Sequence, residues 1–133
     1  NYIWSESNQK IIFNETYDPE LSTIDKFTNL DINGQFRISK NTYEIETLSL
    51  NDLLKKYNAP KVIDYLSLDT EGSEFEILST FNFNDYIISV ITVEHAYGPN
   101  REKISKLLKS RGYIRKFKKF SYVDDWYVFN KLK

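Results

Sequence analysis

Apolar and polar positions alternate with different periods along the chain, and the clearest periods lie in its second half. Leu50, Leu53, Leu54 and Tyr57 recur at helical spacing and predict one inward face. Ser49 stands before them as an N-cap, with Asp52 three residues later in the capping-box position. Asn58 and Pro60 end that helix. Val62 to Leu68 is short and apolar and predicts a strand. Ser73 to Phe81 predicts a helix with Phe75, Leu78 and Phe81 inward. Ile87 to Val93 is almost continuously apolar and β-branched, the pattern of a strand covered on both faces. Arg101 to Arg111 predicts a helix with Ile104, Leu107 and Leu108 inward, and Gly112 sits where a C-terminal cap belongs. Tyr113 to Phe120 and Trp126 to Leu132 read as two strands around a turn at Asp124-Asp125.

The first 40 residues are less regular. Lys10 to Phe13 reads as a short strand, and Asn41 to Thr47 as another, with Tyr43 and Ile45 alternating against Glu44 and Glu46. Asp18-Pro19 and Asn33-Gly34 are turn signals. Strands that alternate with helices imply a parallel sheet with right-handed crossovers. The last two strands are too closely connected for a helix, so they are expected to be antiparallel. The expected fold is α/β: one mostly parallel sheet with an antiparallel terminal strand, in a single domain over residues 1–133.

Composition narrows the function. The 133 residues carry 18 Lys+Arg and 19 Asp+Glu, a formal charge of -1, so no global field directs the protein to nucleic acid or an anionic membrane. Absence of Cys excludes disulfides, thiolate metal sites and Cys nucleophiles, and the single histidine, His95, excludes multi-His centres. No apolar run is long enough to span a bilayer and no signal-like start is visible, so the expected location is cytoplasmic. Charge is divided along the chain. Val62 to Asn100 holds no Lys or Arg but contains Asp64, Asp69, Glu71, Glu74, Glu76, Asp85 and Glu94. Arg101 to Phe120 is basic apart from Glu102.

Open α/β sheets bind ligands at the carboxyl ends of their strands. One expected strand ends at Leu68-Asp69 and runs into Thr70-Glu71-Gly72-Ser73-Glu74; another ends at Val93-Glu94-His95. Adjacent strands lie ~4.8 Å apart, so Asp69, Glu71, Glu94 and His95 would share one neighbourhood. Four such groups suit acid/base work or the binding of a cation. Glu71 and Glu74 also fit as ordinary first-turn acids, and His95 as a packed histidine. Tyr97-Gly98-Pro99 is a loop at the same edge. The four glycines, at 34, 72, 98 and 112, permit neither a G-x-G-x-x-G turn nor a P-loop.

The segments Leu48-Ser49-Leu50-Asn51-Asp52-Leu53-Leu54 and Ile63-Asp64-Tyr65-Leu66-Ser67-Leu68-Asp69-Thr70-Glu71-Gly72-Ser73-Glu74 together resemble the core of FkbM-type methyltransferases. Val93-Glu94-His95, Leu107 to Tyr113 and Asp124 to Val128 extend the resemblance, which runs from about Asn41 to Phe129; Glu20-Leu21-Ser22-Thr23 adds a weaker match. The resemblance implies a Rossmann-like three-layer sandwich and S-adenosylmethionine as cofactor, with methyl transfer to a hydroxyl of a sugar or other natural product. It implies catalytic roles for Asp69, Glu71 and His95, substrate contacts from Glu94, Glu74 and Tyr97, and a cofactor contact from Asp69. The strands ending at Asp69 and Glu94 would be the family's fourth and fifth. The family's first strands, with their glycine-rich cofactor loop and ribose-binding acid, find no match here. The chain therefore reads as the carboxyl-terminal portion of the domain, with cofactor binding impaired. The strand Val62 to Leu68 would then keep an open edge, pairing with a second copy or lying under the amino-terminal segment. Two other readings stand beside this one: a noncatalytic binding or assembly module, and a metal-dependent hydrolase using Asp69, Glu71, Glu94 and His95.

Overall fold

The computed structural model describes residues 1–130. It is an α/β structure of two mixed four-stranded sheets and three α-helices. The first sheet contains β1 (Tyr2–Trp4), β2 (Lys10–Thr16), β3 (Thr23–Ile24) and β4 (Ser39–Ser49) in the order β1-β4-β2-β3. Helix α1 (Leu50–Lys56) follows β4 directly. The second sheet contains β5 (Val62–Leu68), β6 (Ile87–Glu94), β7 (Tyr113–Lys116) and β8 (Asp124–Phe129) in the order β5-β6-β8-β7. Helix α2 (Glu74–Thr80) connects β5 to β6, and α3 (Arg101–Ser110) connects β6 to β7.

The second half follows its periodicity closely. Ser49 caps α1, its hydroxyl accepting from the Asp52 amide at 3.1 Å and donating to the Asp52 carboxylate at 2.9 Å. Strands β5 and β6 pair in parallel from Val62↔Ile87 to Leu68↔Val93. The core gathers Leu68, Ile77, Leu78, Ile88, Ile91, Val93, Ile104, Leu108 and Tyr127. Ile88 and Ile91 lie on opposite faces of β6 and both are fully buried, which explains its unbroken apolar run. Gly112 closes α3 with φ +90°, a conformation that side chains resist.

Three features differ from the periodic reading. The mostly parallel sheet contains one parallel neighbour pair, β5/β6; the reversed strand, β8, lies between β6 and β7 rather than at the margin. Tyr57 is 70% exposed, because α1 ends at Lys56 and Asn58 turns away with φ +50°. The turn before β8 falls at Phe117 to Ser121, where the Phe120 and Ser121 amides return to the Phe117 carbonyl. Asp124-Asp125 instead opens β8, and Asp125 is buried. The expected end of that strand at Leu132 lies outside the described residues.

The amino-terminal sheet was visible in sequence only as two short strands. Its interior is largely polar: Asn14, Thr16, Thr23 and Thr47 are all buried, and the buried Arg37 lies just before β4. Those groups bond locally, as when Asn14 donates to Thr28 Oγ1 at 3.2 Å and accepts from Ser39 Oγ at 2.7 Å. Buried polar groups of this kind need partners, and hydropathy does not register them. Strand β1 pairs with the end of β4, Tyr2↔Thr47 to Trp4↔Ser49, and leaves β5 uncovered. No helix among the described residues is long and apolar enough to cross a membrane.

The cap on α1 gives a direct test. Ser49→Ala removes the acceptor for the Asp52 amide and is expected to cost about 1 kcal/mol, read as a lowered urea midpoint with an unchanged slope.

Candidate functional site

The site begins with strand register. Since Leu68 lies opposite Val93 in the parallel pair, the next residues, Asp69 and Glu94, emerge side by side at the carboxyl rim. The chain then turns sharply through Thr70-Glu71-Gly72 into α2. Glu71 has φ +55° and Gly72 φ +116°. A Cβ at Gly72 would come within 3.0 Å of Phe27 Cβ, so glycine is required both by conformation and by close approach. Glu74 is buried and closes the turn: its Oε1 accepts from the Thr70 amide at 2.8 Å, Thr70 Oγ1 at 2.9 Å and the Gly72 amide at 3.2 Å. Burial pushes the Glu74 carboxyl up despite these donors.

Asp69, Glu71 and Glu94 bring carboxylate oxygens within 4.8 Å of one another. Burial raises Glu94 first, and the neighbouring Asp69 and Glu71 charges raise it further, to about 8. Burial also raises Glu71, against the pull of the Arg37 guanidinium beside it. Asp69, Thr70, Glu71 and Glu94 line a cavity of about 820 Å³ together with Tyr2 and Phe13. The Tyr2 hydroxyl donates to the Thr70 carbonyl at 2.6 Å, and burial raises its pKa to about 12. Thr23 Oγ1 donates to the Glu71 carbonyl at 2.7 Å. The amino-terminal sheet thus reaches over the acidic turn and holds it.

His95 takes a different direction. Its Nδ1 accepts from the Tyr97 amide at 3.0 Å, and its Nε2 lies 3.5 Å from Asp125 Oδ1 without a hydrogen bond. Burial lowers its pKa below the usual imidazole value. His95 is not among the carboxylates that approach one another, so the four-residue set expected of a metal-dependent hydrolase is not assembled. It lines a narrower pocket together with Glu74, Glu94 and Arg101. Tyr97, half exposed at φ +56°, packs its ring against His95 and Tyr122.

Two charged residues beside the site, Arg37 and Asp125, were not among the expected site residues. Arg37 is wholly buried and pairs with Asp31 and Glu71. Asp125 receives Arg101 through two bonds of 3.0 Å and Arg115 at 2.6 Å. Asp125 was within reach of sequence reasoning, because it shares the strand phase of the inward Tyr127. Arg37 has no such periodic cue.

The FkbM methyltransferase domain matches residues 5–124 of this chain. No curated protein and no solved structure matches it. A match over that share of the sequence places the chain in the FkbM family of methyltransferases.

The raised Glu94 has a consequence for stability. Folded, it keeps its proton to about pH 8; unfolded, it releases it near 4.5. Its protonated form therefore favours folding below the lower value, and the advantage is lost as pH rises between the two. Urea midpoints measured at about pH 5 and about pH 8.5 are expected to fall less in Glu94→Gln than in the native chain.

Proposed function

We propose that the chain supplies the acceptor side of an S-adenosylmethionine-dependent O-methyltransferase, with a hydroxyl of a sugar or related natural product as acceptor. The observation that carries this reading is the Asp69–Glu94 pair at the rim of two parallel strands, facing the cavity of about 820 Å³. Methyltransferases generally draw their methyl group from S-adenosylmethionine, whose sulfonium would supply an electrophilic carbon here. Cavity walls built from Asp69, Glu71 and Glu94 beside the rings of Tyr2 and Phe13 suit a sulfonium cation. The four glycines form no glycine-rich turn for the remainder of the cofactor. The pairing β5-β6-β8-β7, with β8 reversed, supports a Rossmann-like sheet as the underlying scaffold.

In this reading Asp69 would hold the acceptor hydroxyl and take its proton, and bound S-adenosylmethionine would supply the methyl group. Glu94 retains its own proton near neutrality and can donate a hydrogen bond beside Asp69. Glu71 orients the acceptor from the turn, and Glu74 holds the turn rather than the substrate. Tyr97 does not line this cavity; its ring packs against His95 and Tyr122, so the substrate contact expected of it is not part of this reading. His95 orders the Tyr97 loop through its Nδ1. Much of the acceleration in such a reaction comes from positioning.

Calorimetry with S-adenosylmethionine tests the cofactor half of this reading, and transfer of labelled methyl to hydroxyl acceptors tests the other. In an active preparation Asp69→Asn is expected to lower turnover more than tenfold, and near-native turnover removes Asp69 from proton transfer.

We also propose that the β5 edge pairs with a second copy of this chain. Val62 and Tyr65 are each about half exposed there, and among the described residues no strand lies outside it. Sedimentation is expected to depend on concentration and to become monomeric in Val62→Lys; a native chain that is monomeric throughout contradicts the pairing.

A further inference from the structure

Arg37 follows the last 3₁₀ turn before β4 and reaches no solvent: its side chain is 0% exposed. A guanidinium has five N–H donors in a fixed plane, and each of its three nitrogens is engaged here. Nε donates to the Leu21 carbonyl at 3.1 Å. Nη1 donates to the Thr28 carbonyl at 3.2 Å, to Asp31 Oδ1 at 2.8 Å and, at 3.5 Å, to the Phe27 carbonyl. Nη2 donates to Asp31 Oδ2 at 2.8 Å and to Glu71 Oε2. Asp31 thus neutralises the cation through a bidentate pair, and one remaining donor is directed at the acidic turn.

That donor meets the one member of the carboxylate group whose backbone is strained. Glu71 sits at φ +55° in the turn after Asp69, its carboxyl is half-buried, and the charges of Asp69 and Asp31 oppose its ionised form. Among the described residues no other Lys or Arg forms an ion pair with Asp69, Glu71 or Glu94. Arg37 therefore does more than fill its pocket. It opposes the repulsion and fixes the direction of one carboxylate on the cavity wall.

We infer that Arg37 is the positioning residue of the acceptor site: it holds the Glu71 carboxylate against the cavity while Asp31 and the carbonyls of residues 21–28 hold Arg37. The inference rests on the cavity being the acceptor site, and it deepens that reading by making the amino-terminal segment part of the site's geometry. A lysine does not reproduce it, since an ammonium has three donors and no planar fork with which to grip Asp31 and Glu71 together.

The test is carboxyl ¹³C NMR on the full chain, labelled at glutamate, with near-UV circular dichroism to report folding. Arg37→Lys is expected to move the Glu71 resonance by more than its line width, while the exposed Glu44 and Glu46 on β4 stay in place. Asp31→Asn keeps the guanidinium but removes the anion that grips it, so Glu71 is also expected to move, while the amides of residues 28–37 exchange faster. A folded Arg37→Lys chain with an unmoved Glu71 signal overturns the inference. So does a folded Asp31→Asn chain with an unmoved Glu71 signal, and this second variant decides the matter should Arg37→Lys fail to fold. Failure of S-adenosylmethionine to bind would count against the methyl-transfer reading and leave these resonances unchanged, so the two failures are distinguishable.

Discussion

The parallel register between β5 and β6 is the constraint on which the rest of the structure depends. Side chains in a strand alternate, so a slip of one residue would reverse every inward position of β5. Leu66 and Leu68 would leave the core, and Asp69 would no longer stand beside Glu94. Burial of Ile88, Ile91 and Val93 makes such a slip costly, because several apolar side chains would be exposed together. The acidic rim is thus fixed by hydrophobic packing several residues away from it.

Two buried ion networks then hold the rim from either side. Arg37 ties the acidic turn to the amino-terminal segment, and Asp125 ties the start of α3 to β7 and β8. Buried ion pairs add little net stability when compared with apolar packing, since desolvation offsets their attraction. Breaking one partner is a different matter, because an uncompensated charge is left inside. Such networks specify geometry more than they add stability, which suits the margins of a chemical site. Of the two, the Arg37 network reaches the acidic turn itself, at the positive-φ residue Glu71.

The second half of the fold was legible because its elements are amphipathic or wholly apolar. The bounds of β5 were readable residue for residue, and α2, β6 and α3 to within a residue or two, each from the period of its apolar positions. The meeting of Asp69, Glu71 and Glu94 followed from strand order and alternation. His95 did not join them because the strand ends at Glu94 and the following turn takes the imidazole toward Asp125. The amino-terminal sheet was harder to read because its interior is held by Asn and Thr hydrogen bonds rather than by a hydrophobic stripe. Arg37 was hidden for the same reason: a lone cation in an irregular segment has no period, and its partners lie 6 and 34 residues away.

The position of β8 bears on how the molecule is completed during synthesis. The ribosome releases β7 before β8, yet β7 touches β6 only through β8 in the sheet. Until Asp124–Phe129 has emerged, β6 presents a bare backbone edge and β7 has no neighbour with which to bond. Asp125, which Arg101 and Arg115 both grip, arrives with that same last strand. Sheet closure and neutralisation of those two arginines therefore depend on the same strand.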